Sequence, residues 1–182
     1  MNVPKCKPQI LVAMPSLKDG YFDKSVILLC EYNVHGAMGF VINSPSTTSV
    51  DDLLRELGLG TRTPQSQMIL IGGPVQSELC WVVHTTDYSG KSTTRIGENL
   101  CLSAAQEVLT SITEGRAPQD YFVGVGYSGW AAGQLDREIE QEAWWLADMD
   151  PMPILEQAYE ARWETVMKKL GLNTPYSSYC RA

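Results

Sequence analysis

Gly124, Gly126 and Gly129 satisfy the spacing G-x-G-x-x-G, which in a strand-to-helix turn lets backbone N–H groups close on a pyrophosphate. The wider context fails that chemistry. Asp148 and Asp150, the acidic residues about 20 positions on that would have to hold a ribose, follow an amphipathic stretch and precede Pro151. Trp130 also stands where a helix N-terminus must approach the phosphates. The overlapping run Gly126-Tyr127-Ser128-Gly129-Trp130 misses the nucleophile elbow G-x-S-x-G by one residue, because Trp130 replaces the second glycine. The two histidines, His35 and His84, both precede Ser128, whereas that hydrolase fold places its histidine after the serine.

Cys80, Val82 and His84 share one face of a candidate strand. Four residues at about 3.3 Å each hold the thiol and the imidazole about 13 Å apart, too far for a hydrogen bond. An enzyme reading therefore needs the fold to bring Ser128 or Cys30, as nucleophile, to His84 as base. No H-x-x-x-H, C-x-x-C or His and carboxylate cluster is present, so no metal is expected and no cofactor is implied.

A binding reading starts from three glycine-rich turns: Gly36 to Gly39, Gly72-Gly73-Pro74-Val75, and Gly126 to Trp130 with Gly133-Gln134. Folding alone would account for such glycines, and exposed N–H groups in them would equally form an anion nest. The binding expectation is a groove for a small molecule or a peptide, with a stacking surface. Its lining would be Asn43, Gly72, Gly73, Pro74, His84, Gly126, Tyr127, Ser128, Gly129, Trp130 and Gln134.

The elements that must position these residues begin as strands at Gln9 to Met14, Ser25 to Tyr32 and Ala37 to Ile42, with Asn33 to Gly36 as a hairpin connection. A helix from Ser49, its cap, runs with Asp52 three residues on to Gly58. Thr61 to Gln67 reads as a polar loop, Met68 to Ile71 and Leu79 to Thr85 as strands, and Asp87 to Thr94 as a surface loop. Ser103 with Gln106 forms a second capping box ahead of a helix that stops at Gly115, and Tyr121 to Gly126 is a short strand. Apolar residues at helical spacing from Gln134 to Leu146 predict a helix with an acidic outer face. Another follows Pro151 and Pro153 and runs to Gly171, leaving residues 174–182 as a tail. Strands come early and helices late, without alternation. That order predicts an α+β fold in a single domain over 1–182, with its ordered core at about 9–173.

The chain has 182 residues, 44% of them apolar, enough for a self-sufficient core, and a formal charge of −7. That balance repels a polyanion and argues against direct nucleic-acid binding, which needs Lys and Arg to displace counterions. The apolar run Ile10 to Met14 is too short for an export signal and no run approaches a membrane span, so no membrane role is expected. Five cysteines, an odd number, without a C-x-x-C pair point to reduced thiols in a cytoplasm. The partner expected is an unidentified small molecule or protein; the oligomeric state is not encoded legibly.

Over about Gln9 to Asn173 the sequence resembles the YqgE/AlgH family of bacterial proteins. The resemblance rests on Met14-Pro15-Ser16-Leu17 with Asp19 and Phe22, Ser25-Val26, Cys30-Glu31, Gly36-Ala37-Met38-Gly39 and Asn43. It continues through Gly72 to Val75, His84-Thr85, Gly126 to Trp130, Gly133-Gln134-Leu135, Glu138-Ile139, Trp144 and Arg162-Trp163. Three positions depart from the family's usual pattern: Tyr32 where His is common, Asp136 where Glu is usual, and Glu142 where Asn often stands. The resemblance implies a bifurcated, barrel-like, mostly antiparallel sheet surrounded by about four helices. It also brings a transcriptional-regulator label, which derives from a link to alginate regulation in one member. With acidic or mixed helices and only Lys168-Lys169 as a basic pair, regulation here would be indirect.

Overall fold

Runs of Val, Ile and Leu bounded by Gly, Pro, Asn or Asp become strands because branched side chains fit a pleated, half-buried surface. The computed structural model describes residues 9–60 and 65–172. In chain order the elements are β1 (Gln9–Ala13), β2 (Val26–Asn33), β3 (Gly36–Val41), β4 (Pro45–Ser49), α1 (Val50–Glu56), β5 (Met68–Ile71), β6 (Val75–Thr85), β7 (Thr94–Arg95), β8 (Leu100–Ala104), α2 (Ala105–Thr113), β9 (Tyr121–Ala131), α3 (Gln134–Glu140), β10 (Trp144–Ala147), α4 (Met152–Leu155), a 3-10 turn (Tyr159–Ala161) and α5 (Arg162–Lys169). The fold is α+β and mostly antiparallel, with five α-helices among the described residues against the four or so expected.

Two compact units divide the described chain: residues 45–127, and residues 9–44 with 128–172. In the first, β4 pairs β5, β5 pairs the start of β9 in parallel, and β9, β6, β8 and β7 follow in antiparallel order. Val50 and Leu54 of α1 and Val108, Leu109 and Ile112 of α2 close its core over Ile69, Val82 and Val123. In the second, β10, β1, β2, β3 and the last residues of β9 form an antiparallel sheet. Its core gathers Leu11, Ile27, Leu29, Val41, Trp130, Leu135 and Trp144.

Helix ends follow local chemistry. Ser49 and Asp52 form the expected reciprocal capping box at α1. The helices α1, α2 and α5 each end in a Schellman turn, with Gly58, Gly115 and Gly171 at φ +70°, +76° and +69°. Helix α3 ends in the same turn with Glu142 in that place, at φ +57°, while the Glu142 and Ala143 N–H groups return to Ile139 and Glu138.

Several sequence expectations are corrected. The helix expected from Gln134 to Leu146 stops at Glu140, and Trp144–Ala147 pairs with β1 as a strand. The helix expected up to Gly171 is broken after Leu155, because the buried Arg162 guanidinium takes the carbonyls of Leu155, Gln157 and Ile42. The short strand at Tyr121 extends through the whole glycine motif to Ala131, so Gly124, Gly126, Gly129 and Ser128 lie within a strand, where neither a dinucleotide turn nor a nucleophile elbow exists. Ser103 does not cap α2: the N-cap is Ala104, and the Ser103 hydroxyl turns to His84. The expected loop at Thr61 to Gln67 falls partly, and the tail beyond Asn173 wholly, outside the described residues.

Candidate functional site

Of the glycines expected to line a groove in the first unit, Gly72 is explained by an indole, and Gly126 by a φ of +69° with the Gly73 carbonyl standing where a Cβ would lie. Trp81 on β6 is buried and donates its ring N–H to the Gly126 carbonyl at 2.7 Å. A Cβ at Gly124 would run into that ring, and one at Gly72 would meet both the ring and the Gly126 carbonyl. Gly73 is buried beside them, Pro74 is exposed, and half-buried Tyr127 pairs with Val75.

In the second unit, Asn43 is used at both ends of its amide. Its Oδ1 accepts from the Val26 N–H and its Nδ2 donates to the Lys24 carbonyl, each at 2.8 Å. Ser128 is buried and pairs with Gly39, and exposed Gly129 pairs with Met38. Trp130 is only 7% exposed, which corrects its expected role as a stacking surface. Its indole N–H donates to Glu138, as does that of Trp144, with Gln134 donating to the other Glu138 oxygen. These residues hold the fold, which is why their types are so particular.

The polar cluster that sequence reasoning missed lies in the first unit. Val82 is opposite Ser103 and His84 opposite Cys101 across β6 and β8, so His84 and Ser103 are diagonal neighbours on one face. His84 has no exposed surface. Its Nδ1 lies 2.8 Å from the Thr85 carbonyl, which only accepts, so Nδ1 carries the proton. In the neutral ring Nε2 then accepts from Ser103 Oγ at 2.8 Å. Thr93 Oγ1 donates to the same Ser103 oxygen at 2.8 Å and itself accepts from the Gly90 N–H at 2.8 Å. The Tyr88 ring stands edge-on to the imidazole at 5.2 Å. Both nitrogens of His84 are thus occupied by Thr85 and Ser103, neither of which is Ser128 or Cys30.

Residues 88–93 strap across the start of α2. The Glu107 carboxylate accepts the N–H groups of Lys91 at 2.6 Å and Ser92 at 2.9 Å and the Ser92 hydroxyl, while Ser92 Oγ accepts the Ala104 N–H. These bonds, the Ser92 hydroxyl first, hold the Glu107 carboxyl below the usual range. The strap and α2 border a recess of about 810 Å³ lined by Tyr88, Gly90, Lys91, Gln106, Glu107 and Arg116, among others. Burial raises the thiols of Cys80, to about 11, and of Cys101. No group of His, Cys, Asp and Glu suited to a metal ion occurs among the described residues.

No spacing signal announces the Ser103 and His84 pair, which lie 19 residues apart. Strand alternation around Val82 and His84 was its one available trace.

A family model described as AlgH-like matches residues 10–175. The chain belongs to the AlgH-like family. Among its relatives, a UPF0301 protein of Shewanella loihica is 36% identical over 167 residues, 90% of each chain. One of Vibrio cholerae is 34% identical over 169 residues, again 90% of each. The solution structure of the AlgH protein from Pseudomonas aeruginosa is similar with a TM-score of 0.78 at 34% identity, covering 100% of this chain and 97% of that one. A crystal structure of a Corynebacterium diphtheriae protein gives 0.74 at 25% identity, covering 100% and 94%. The α+β fold read from the sequence is the one this chain shares with the AlgH protein from Pseudomonas aeruginosa.

Proposed function

We propose that this AlgH-like protein is a cytoplasmic binding module that acts in regulation by taking up a small molecule or a protein segment, without touching DNA. The observation that carries this reading is the recess beside α2, where Lys91 and Arg116 face the same space as Glu107, Gln106 and Tyr88. Mixed charge with an aromatic wall suits a polar metabolite or peptide. The charge of −7 and the carboxylate-rich helices support an indirect role in any regulation. Free thiols at Cys80 and Cys101 fit a reducing compartment, and no helix among the described residues is long and apolar enough to cross a membrane.

The test is a thermal-shift screen of nucleotides, metabolites and short peptides against the wild type and the variants Lys91→Ala and Arg116→Ala. A ligand that stabilises the wild type and loses most of its effect in both variants supports the reading. Silence across the library overturns it. Salt-sensitive retention of genomic DNA at about 50 mM salt would remove the claim of action without DNA contact.

A further inference from the structure

We infer that Ser103 is an activated nucleophile, with His84 as its base, for an acyl group delivered as an ester or thioester, and that the strap of residues 88–93 covers it. Serine attacks well only when a neighbouring base takes its proton and a third group fixes the tautomer of that base. All three parts are present: Ser103 Oγ at 2.8 Å from His84 Nε2, and His84 Nδ1 at 2.8 Å from the Thr85 carbonyl. The Ser103 hydrogen therefore points at the base, and the Thr93 hydroxyl fills a lone pair on the same oxygen.

The place in the chain suits the chemistry. Ser103 is the penultimate residue of β8, and Ala104, the N-cap of α2, makes no side-chain hydrogen bond to the first-turn N–H groups. The positive end of a helix of nine residues therefore begins one residue after the nucleophile, with the Glu107 carboxylate and the strap across it. The serine that sequence patterning assigns to capping is withdrawn from that task by His84.

In the step itself Oγ bonds to the acyl carbon while its proton passes to His84 Nε2. The bond from carbon to the leaving oxygen or sulfur breaks, and the leaving group takes that proton, giving O-acyl Ser103 and a free alcohol or thiol. Water, admitted later, returns the serine and releases a carboxylic acid.

Ser103 is 3% exposed, so the strap has to move for an ester to reach it. The strap is held by the Glu107 carboxylate on the Lys91 and Ser92 N–H groups and by the Ser92 hydroxyl on the Ala104 N–H, with the Tyr88 hydroxyl on Ser111 and the Thr93 hydroxyl on Ser103 at its two ends. A ligand that engaged Glu107 or Lys91 from the recess would loosen its middle, at Lys91 and Ser92.

The experiment treats the full chain with p-nitrophenyl acetate and with a fluorophosphonate and reads adducts by intact and peptide mass spectrometry. The expected result is a single adduct on Ser103, formed at least tenfold faster in Glu107→Ala or Ser92→Ala. It should be absent in Ser103→Ala and lost in His84→Gln that retains a native circular dichroism spectrum. Absence of a Ser103 adduct from the wild type and from both folded, loosened variants overturns the inference, as does an adduct that survives His84→Gln. Ligand uptake in the recess is read separately, as a thermal shift of Ser103→Ala, so either idea can fail without the other.

Discussion

Trp130 and Trp144 aim their indole N–H groups at the same oxygen, Glu138 Oε2, each at 2.9 Å, with their rings edge to face at 5.9 Å. One carboxylate on α3 thereby ties β9 to β10 within the second unit. Both rings are buried, so removing the acceptor leaves two donors unsatisfied at about 1–3 kcal/mol each. Glu138→Ala should destabilise the protein by about 3 kcal/mol in urea unfolding followed by Trp fluorescence, well above the loss in Glu140→Ala, an exposed neighbour. Equal losses in the two variants would contradict this role.

Glu142 occupies the left-handed position that Gly fills in the turns after α1, α2 and α5. A side chain with a Cβ is strained there by about 1–2 kcal/mol, and Asn tolerates the conformation best after Gly. Glu142→Asn should therefore stabilise the protein by about 0.5 kcal/mol, read as a higher urea midpoint at unchanged slope. A lower midpoint would show that the Glu142 side chain does something the turn does not require.

The same residue explains where the sequence misled. Three helix ends were legible because Gly58, Gly115 and Gly171 mark them, whereas α3 ends on a good helix former and its pattern reads on into Trp144 and Leu146. The strands β1, β2, β3 and β5 were legible from their apolar runs; β4 was not, because Pro45-Ser46-Thr47-Thr48-Ser49 carries no apolar residue. Glycines on β9 signalled a special backbone, but the cause at Gly124 is the ring of Trp81, 43 positions earlier, and at Gly126 the Gly73 carbonyl, and no local pattern reports such approaches. The His84 and Ser103 contact is hidden for the same reason: it is made across a ladder, and Ser103 satisfies a local capping rule that the fold overrules.

Burial alone places the Cys80 thiol at about 11, some distance above its ordinary value, and moves Cys101 the same way. Thiolate is the reactive form, so both should resist iodoacetamide at pH 8 in folded protein and react fully in denaturant. Peptide-resolved mass spectrometry separates them from Cys6 and Cys180, which lie outside the described residues. Rapid native alkylation of Cys80 would mean that its strand opens far more readily than its half-buried position beside Val125 indicates.

The two departures from the family's usual pattern at Tyr32 and Asp136 meet in space, with the Tyr32 hydroxyl donating to Asp136 Oδ1 at 2.5 Å. A long side chain faces a short carboxylate here, where the commoner His would face the longer Glu, so the reach of the pair is kept while its chemistry changes. The hydrogen bond first, then burial, then the charge of Asp136 push the Tyr32 phenol up to about 12. A folded-state value above the unfolded one stabilises the protein below pH 10 and loses that contribution as the pH rises from 10 to 12. Ultraviolet titration should show Tyr32 ionising late, alongside Tyr21 and Tyr121, which burial also raises, and Asp136→Asn should bring Tyr32 alone back toward 10. Tyr32→His and Asp136→Glu should each lower the melting temperature, and the double variant should melt above both. A double variant that melts at the sum of the two losses would show that the pair is not coupled, and that the two departures arose independently.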